Sequence, residues 1–131
     1  MRAVLICHNP QMSLSMGETI ARVRLYGPEG VGELEALVDT GATFTKISRS
    51  LASRIGVRPK REVLTQVATG EIISRQAGTL DAEIKGVRDT IPVVIGEDHE
   101  PAVVGYTTLE ILGFKINPVT RELEPTHALD Y

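Results

Sequence analysis

Apolar and polar residues alternate over residues 19–26 (Thr19-Ile20-Ala21-Arg22-Val23-Arg24-Leu25-Tyr26), the period of a strand with one wet face. Gly27-Pro28-Glu29-Gly30 reads as a turn, and residues 31–38 return as a second strand that ends wholly apolar in Ala36-Leu37-Val38. The same logic predicts a strand at 62–67, a turn at Ala68-Thr69-Gly70-Glu71 and a strand leading away over 72–77. Gly78 and Gly86 flank a further alternating strand at 79–84, and Ile91-Pro92-Val93-Val94-Ile95-Gly96 reads as a buried strand with Pro near its start. Two short helices interrupt this series. Ser48 is placed to cap residues 49–55, with Gly56 in the C′ place, and Thr107 with Glu110 predicts a capping box for a helix that Gly113 stops. Residues 114–117 and 121–123 flank Pro118-Val119-Thr120 as a closing hairpin. Strands dominate, so the expected fold class is all-β, a barrel with one or two short helices.

The chain has 131 residues, enough for one domain with a real core. Aromatics are only 4% and Trp is absent, so that core must be built from Val, Ile, Leu and Ala. A net charge of −3 without clustered Lys and Arg gives no nucleic-acid footprint. The single Cys7 excludes an intrachain disulfide and fits a reducing compartment. No apolar run approaches the roughly 18 residues of a membrane helix, and the short run after Arg2 is no secretory h-region. Residues 1–15 read as a poorly specified leader ahead of a single domain, 16–131, expected in the cytoplasm without membrane or nucleic-acid partners.

The chemistry concentrates in Ala36-Leu37-Val38-Asp39-Thr40-Gly41-Ala42-Thr43. A carboxylate ends a buried strand on a turn whose Gly lets the backbone bend sharply and approach a ligand. Such an Asp is expected to be partly desolvated, which primes it for proton chemistry. A turn in which Asp39 merely bonds the following N–H groups would need the same residues.

A second segment, Pro101-Ala102-Val103-Val104-Gly105, brings a short apolar strand to a Gly and then a helix. Together, in this order, the two segments resemble the retropepsin-like aspartic proteases, where Asp-Thr/Ser-Gly-Ala is followed late in the chain by two apolar residues and a Gly. The resemblance spans residues 19–125, and the tail Gly113-Phe114-Lys115-Ile116-Asn117-Pro118-Val119-Thr120 looks most like the small prokaryotic members. It implies a closed acid-protease barrel in which the turn after residue 67 is the flap, a hairpin that closes over bound substrate. Asp39 would be the acid or base of a catalytic dyad. Thr40 would lock two active-site loops together through its hydroxyl, and Gly41 would donate its N–H to the Asp39 carboxylate. Ala42 with Val67, Ala68, Thr69 and Gly70 would form the substrate-binding pocket and flap. Val103, Val104 and Gly105 would pack beneath the loop as structural support.

Peptide hydrolysis without a covalent intermediate needs two carboxylates that share a proton and hold a water. The chain contains one Asp-Thr-Gly, and its only other Asp-Thr, Asp89-Thr90, is followed by Ile91 and Pro92 rather than Gly. An active peptidase must therefore be a homodimer whose twofold axis sets Asp39 opposite its symmetry mate. Many viral relatives follow the late Gly with Arg and then Asn or Asp, which tie the helix into the dimer. Here Tyr106 and Thr107 stand there, so the interface is expected to differ, built for example on residues 114–123.

The remaining candidates are weaker. His8, His99 and His127 lie far apart, and with one Cys they give no metal-ligand spacing, so neither a metal nor another cofactor is expected. Ser48, Ser50 and Ser53 lack the Gly-x-Ser-x-Gly context of a nucleophile, and Glu97-Asp98-His99-Glu100 reads as a solvated acidic turn. Two functions remain open. One is a homodimeric aspartic endopeptidase acting on peptide or protein substrates, with an aliphatic pocket from Val38, Val67, Ile72 and Val93 or their neighbours. The other is a non-catalytic peptide-binding or dimerisation module with the same fold, against which a costly buried pair of carboxylates argues.

Overall fold

The structure, a computed structural model, describes residues 4–7 and 18–130. In order they form β1 (Val4–Cys7), β2 (Ile20–Gly27), β3 (Gly30–Val38), β4 (Thr45–Ser48), α1 (Arg49–Ile55), β5 (Arg61–Gln66), β6 (Ile72–Ile84), β7 (Val87–Gly96), β8 (Val103–Val104), α2 (Tyr106–Leu112), β9 (Phe114–Ile116) and β10 (Leu123–Pro125). Of the segment read as a leader, only the backbone of Val4–Cys7 is described, lying parallel along β3; the remainder falls outside the described residues.

The sheet runs β3, β2, β6, β7, β4, β8 and returns to β3, because β8 pairs in parallel with the end of the strand that began the series. Such closure removes the exposed edges that an open sheet would present. Alternation on β2 sends Ala21, Val23 and Leu25 inward, and Leu34 and Ala36 of β3 meet them. Leu25, Ala82, Ile91, Val93 and Val104 are fully buried in this core, which the apolar faces of both helices complete. Ser48 caps α1 by accepting from the Leu51 N–H at 3.2 Å, and Gly56 closes it. No helix among the described residues is long and apolar enough to cross a membrane.

Three local expectations give way. Residues 72–77 and 79–84 are one strand rather than two. The antiparallel register with β7 continues without a break from Ala77 opposite Val94 to Ile84 opposite Val87, carrying the pairing straight over Gly78. For the same reason β7 starts at Val87, not Ile91. Its polar beginning is held by cross-strand contacts: Asp81 accepts from Arg88 Nε at 3.0 Å and Thr90 Oγ1 at 2.6 Å, and the Arg88 guanidinium lies 3.6 Å over the Tyr26 ring.

The second helix begins one residue before Thr107, with Gly105 at the cap and no side-chain cap bond, so the Thr107–Glu110 capping box does not form. Its first N–H groups find backbone acceptors instead, Tyr106 on the Ala42 carbonyl at 2.7 Å and Thr107 on the Thr43 carbonyl at 3.1 Å. A tertiary contact has taken the place of the local one.

The inward phase of β6 also changes along its length. Leu80, Ala82 and Ile84 join the main core, whereas Ala77 joins Val63 and Val94 in a smaller cluster packed against Phe44. The long strand thus serves both the barrel core and the base of the β5–β6 hairpin. Truncating the fully buried Ile91 to Ala should cost about 2–5 kcal/mol of unfolding free energy in urea titration, the range for an incompletely collapsing core site.

Candidate active site

The apolar end of β3 delivers Asp39 to a loop fixed by its backbone. Leu37 donates its N–H to the Ala102 carbonyl at 3.1 Å, Asp39 to the Val104 carbonyl at 3.0 Å and Val38 to the Thr19 carbonyl at 2.8 Å. Beyond the strand, the Asp39 carbonyl accepts from the Ala42 N–H at 3.1 Å, and its carboxylate Oδ1 accepts from the Gly41 N–H at 2.9 Å. That last bond fixes the orientation of the carboxylate. The other carboxylate oxygen has no hydrogen-bond partner among the described residues. Sequence alone pointed to a partly desolvated Asp39. In the single chain Asp39, Thr40 and Gly41 are all exposed.

The run 102–108 supports this loop from one side. Val104 is fully buried in the core while its carbonyl holds Asp39, and Val103 is half-buried. A Cβ on Gly105 would sit 2.5 Å from the Phe44 carbonyl carbon and oxygen and 2.9 Å from the Ala42 carbonyl oxygen, so only glycine lets the loop approach this closely. The Gly105 N–H donates to Thr45 Oγ1 at 3.2 Å, and that hydroxyl is hydrogen-bonded at 2.6 Å to Thr108 Oγ1, both Thr residues being buried.

The flap residues form the tip of the β5–β6 hairpin. Val67 donates to the Glu71 carbonyl at 2.9 Å, Gly70 donates to the Val67 carbonyl at 2.8 Å, and Gly70 takes a φ of +90°. Ala68, Thr69 and Gly70 are exposed and Val67 is half-buried, with exposed Leu64 and Ile72 on the hairpin arms. Of the residues from which an aliphatic pocket is expected, Val38, Val67, Ile72 and Val93, the last does not face such a pocket. Val93 is fully buried in the core and Val38 packs against that core, since the register of β7 turns Val93 toward the barrel interior.

The four acidic-turn residues are not simply solvated. Glu100 is half-buried and takes four donors: Arg75 Nη1 at 2.8 Å and Glu97 N–H at 2.8 Å on one oxygen, Arg75 Nη2 at 2.6 Å and Lys46 Nζ at 3.3 Å on the other. The Arg75 side chain is only 7% exposed. Arg75 and Lys46 were missed from sequence, although Arg75 is a charged residue between Ile73 and Ala77 in an otherwise apolar strand phase; Lys46, with Ser48 as its same-face neighbour, carries no such signal. Hydrogen bonds from Arg75, with help from the Glu97 N–H and Lys46, hold the Glu100 carboxyl down at about 2, against an ordinary 4.5. Within the same turn Asp98 accepts from the Ser50 N–H and hydroxyl, which lowers its carboxyl, and Glu97 pairs with Arg49 at 2.9 Å.

Asp89, the other Asp-Thr position, sits exposed opposite Ala82 in the β6–β7 pairing and accepts from the Thr90 N–H, so it provides no turn like that of Asp39. Among the described residues no three His, Cys, Asp or Glu side chains gather as a metal site would require. A closed all-β barrel that presents one Asp-Thr-Gly loop, braced by an apolar strand and a following glycine, defines an acid-protease type of protein. The sequence profile of the aspartyl protease family matches residues 21–119, and the chain belongs to that retropepsin-like family. A comparison with curated proteins returns no match.

Replacing Thr45 by Val should destabilise the fold by about 1–3 kcal/mol, because the buried Gly105 N–H loses its acceptor; thermal unfolding with and without the substitution checks this. Because the folded-state carboxyl of Glu100 is depressed, its contribution to stability is complete above pH 4.5 and is lost as pH falls toward about 2. Glu100→Gln should cost about 3 kcal/mol at pH 7 by leaving the buried Arg75 charge without its partner, and its stability should decline less than the wild type's between pH 5 and pH 2.

Proposed function

We propose that the protein is a homodimeric aspartic endopeptidase in which Asp39 from each of two copies forms the catalytic dyad. The observation that carries this reading is a single Asp39 loop whose carboxylate is oriented by Gly41 yet left exposed, with no second carboxylate in a comparable turn among the described residues. Among the described residues nothing hydrogen-bonds the Thr40 hydroxyl, which leaves it available to the equivalent loop of a second copy. Tyr106, directly after Gly105 and 50% exposed, is the large apolar side chain closest in sequence to this support and would be covered in the same association. The closing hairpin turns Phe114 and Leu123 into the core, so its contribution to such an interface would come from its exposed end, where Val119 stands.

In the reaction, the ionised Asp39 takes a proton from water as the hydroxyl oxygen adds to the scissile carbonyl carbon. The protonated Asp39 of the other copy gives its proton to the carbonyl oxygen. The tetrahedral diol then collapses: one carboxyl protonates the amide nitrogen, the C–N bond breaks, and a diol proton returns to the dyad. A carboxylic acid and an amine leave, and the dyad again holds one proton. Two carboxylates about 3 Å apart cannot both ionise, so activity requires one retained proton. An extended peptide would lie between the loop and the β5–β6 hairpin, whose tip (Val67, Ala68, Thr69 and Gly70) and neighbour Ala42 would pair with its backbone.

Cleavage of a random peptide pool should be greatest in mildly acid solution and fall toward neutrality as the shared proton is lost. Asp39→Asn should remain dimeric by mass in solution and lose about 10³-fold or more of the wild-type rate, as removal of a catalytic acid–base does. A dimer that binds peptides in the pool and cleaves none would establish the binding module instead, and a stable monomer would leave Asp39 without its partner.

A further inference from the structure

Among the described residues the shortest ion pair, Arg75 with Glu100 at 2.6 Å, lies between the proposed flap hairpin and the segment that braces Asp39. Arg75 stands on β6, opposite Val63 of β5, at the base of that hairpin. Its planar guanidinium meets Glu100 with two parallel hydrogen bonds, at 2.8 and 2.6 Å, the geometry that fixes both distance and orientation. From Glu100 the chain runs through Pro101 to Ala102 and Val104, whose carbonyls receive the N–H groups of Leu37 and Asp39. Lys46, the third member of the cluster, is opposite Val103 in the β4–β8 pairing. One carboxylate thus joins hairpin, β4 and the strand under the catalytic loop.

A buried ion pair is a poor device for stability alone, since apolar residues of equal volume often serve as well. Its particular property is that it holds two backbones at one spacing and in one orientation. The ladder from β6 to β7 ends at Ala77, and beyond it the apolar contacts of Val63, Ala77 and Val94 with Phe44 are non-directional and do not by themselves fix the orientation of the hairpin.

We infer that Arg75 and Glu100 are positioning residues that set the β5–β6 hairpin in register with the Asp39 loop, through the segment 100–104. Neither touches the reacting atoms. This rests on the endopeptidase reading for its effect on turnover, while the hairpin's own mobility reports on it independently.

The experiment compares the wild-type dimer with the double variant Arg75→Met/Glu100→Leu, which keeps volume and removes charge, and with Arg75→Lys, which keeps charge and removes the fork. Hydrogen exchange at the Val67 and Gly70 amides, thermal unfolding and peptide kinetics are followed for each. The double variant should fold with a melting temperature close to wild type, yet exchange about tenfold faster at the hairpin tip and lose about ten- to a hundredfold in kcat/KM from misplacement. Arg75→Lys should lie between the two, and it carries the test if the double variant fails to fold. Wild-type exchange and wild-type kcat/KM in a folded variant would overturn the inference and leave the pair purely structural. Faster exchange in a chain whose wild type cleaves no peptide would sink the endopeptidase reading while the positioning role stands.

Discussion

The hydrogen bond from the Asp39 N–H to the Val104 carbonyl is the contact on which the rest of the site depends. It closes the barrel, because it continues the pairing of β3 with β8, and it sets the height at which the carboxylate leaves the sheet. Gly105 permits it, since any side chain there would drive the Phe44 and Ala42 backbone away. Once the loop lies that close, its carbonyls become the caps of α2, and the helix starts where those acceptors are rather than where its own sequence would start it. Barrel closure, loop placement and the helix start are thus one arrangement of backbone groups, each satisfying another.

An exposed carboxylate on a loop held by backbone hydrogen bonds is an unusual product of such tight construction. The loop is fixed on its inner side by Val104 and on its own turn by Gly41, while Thr40 and the second Asp39 oxygen remain open to solvent. In the proposed dimer this surface is where the second copy brings its own loop, and desolvation of Asp39 is then a property of the pair of chains rather than of the fold of one. The Glu100 cluster behaves in the opposite way. It lies within a single chain, with Arg75 nearly sealed from water, and its low carboxyl value keeps it ionised throughout the mildly acid range in which a dyad sharing one proton would work.

Much of this could be read from residue order. Alternation on β2 and the apolar end of β3 marked the strands correctly because each has one buried face and a clear turn between them. The Ser48 cap was legible because a cap is a contact within four residues. Where reading failed, a distant partner had taken over a local preference. The mostly polar start of β7 is a strand because Asp81 lies across from it on β6 and the Arg88 guanidinium stacks on Tyr26. Thr107 does not cap because backbone more than sixty positions earlier in the chain accepts its N–H. Val93 looked available to a pocket, yet its register against Gly78 turns it inward.

Residue order by itself determined the all-β class, the short helices, the membership in a family of aspartyl proteases and the place of Asp39 at the end of a strand, since periodicity, glycine and a short motif are local quantities. Only the tertiary structure decided that Val104 holds Asp39, that β6 serves two clusters, and that Arg75, Lys46 and Glu100 meet. Those depend on register between strands that lie far apart in the chain. A one-residue slip there would turn every side chain to the opposite face.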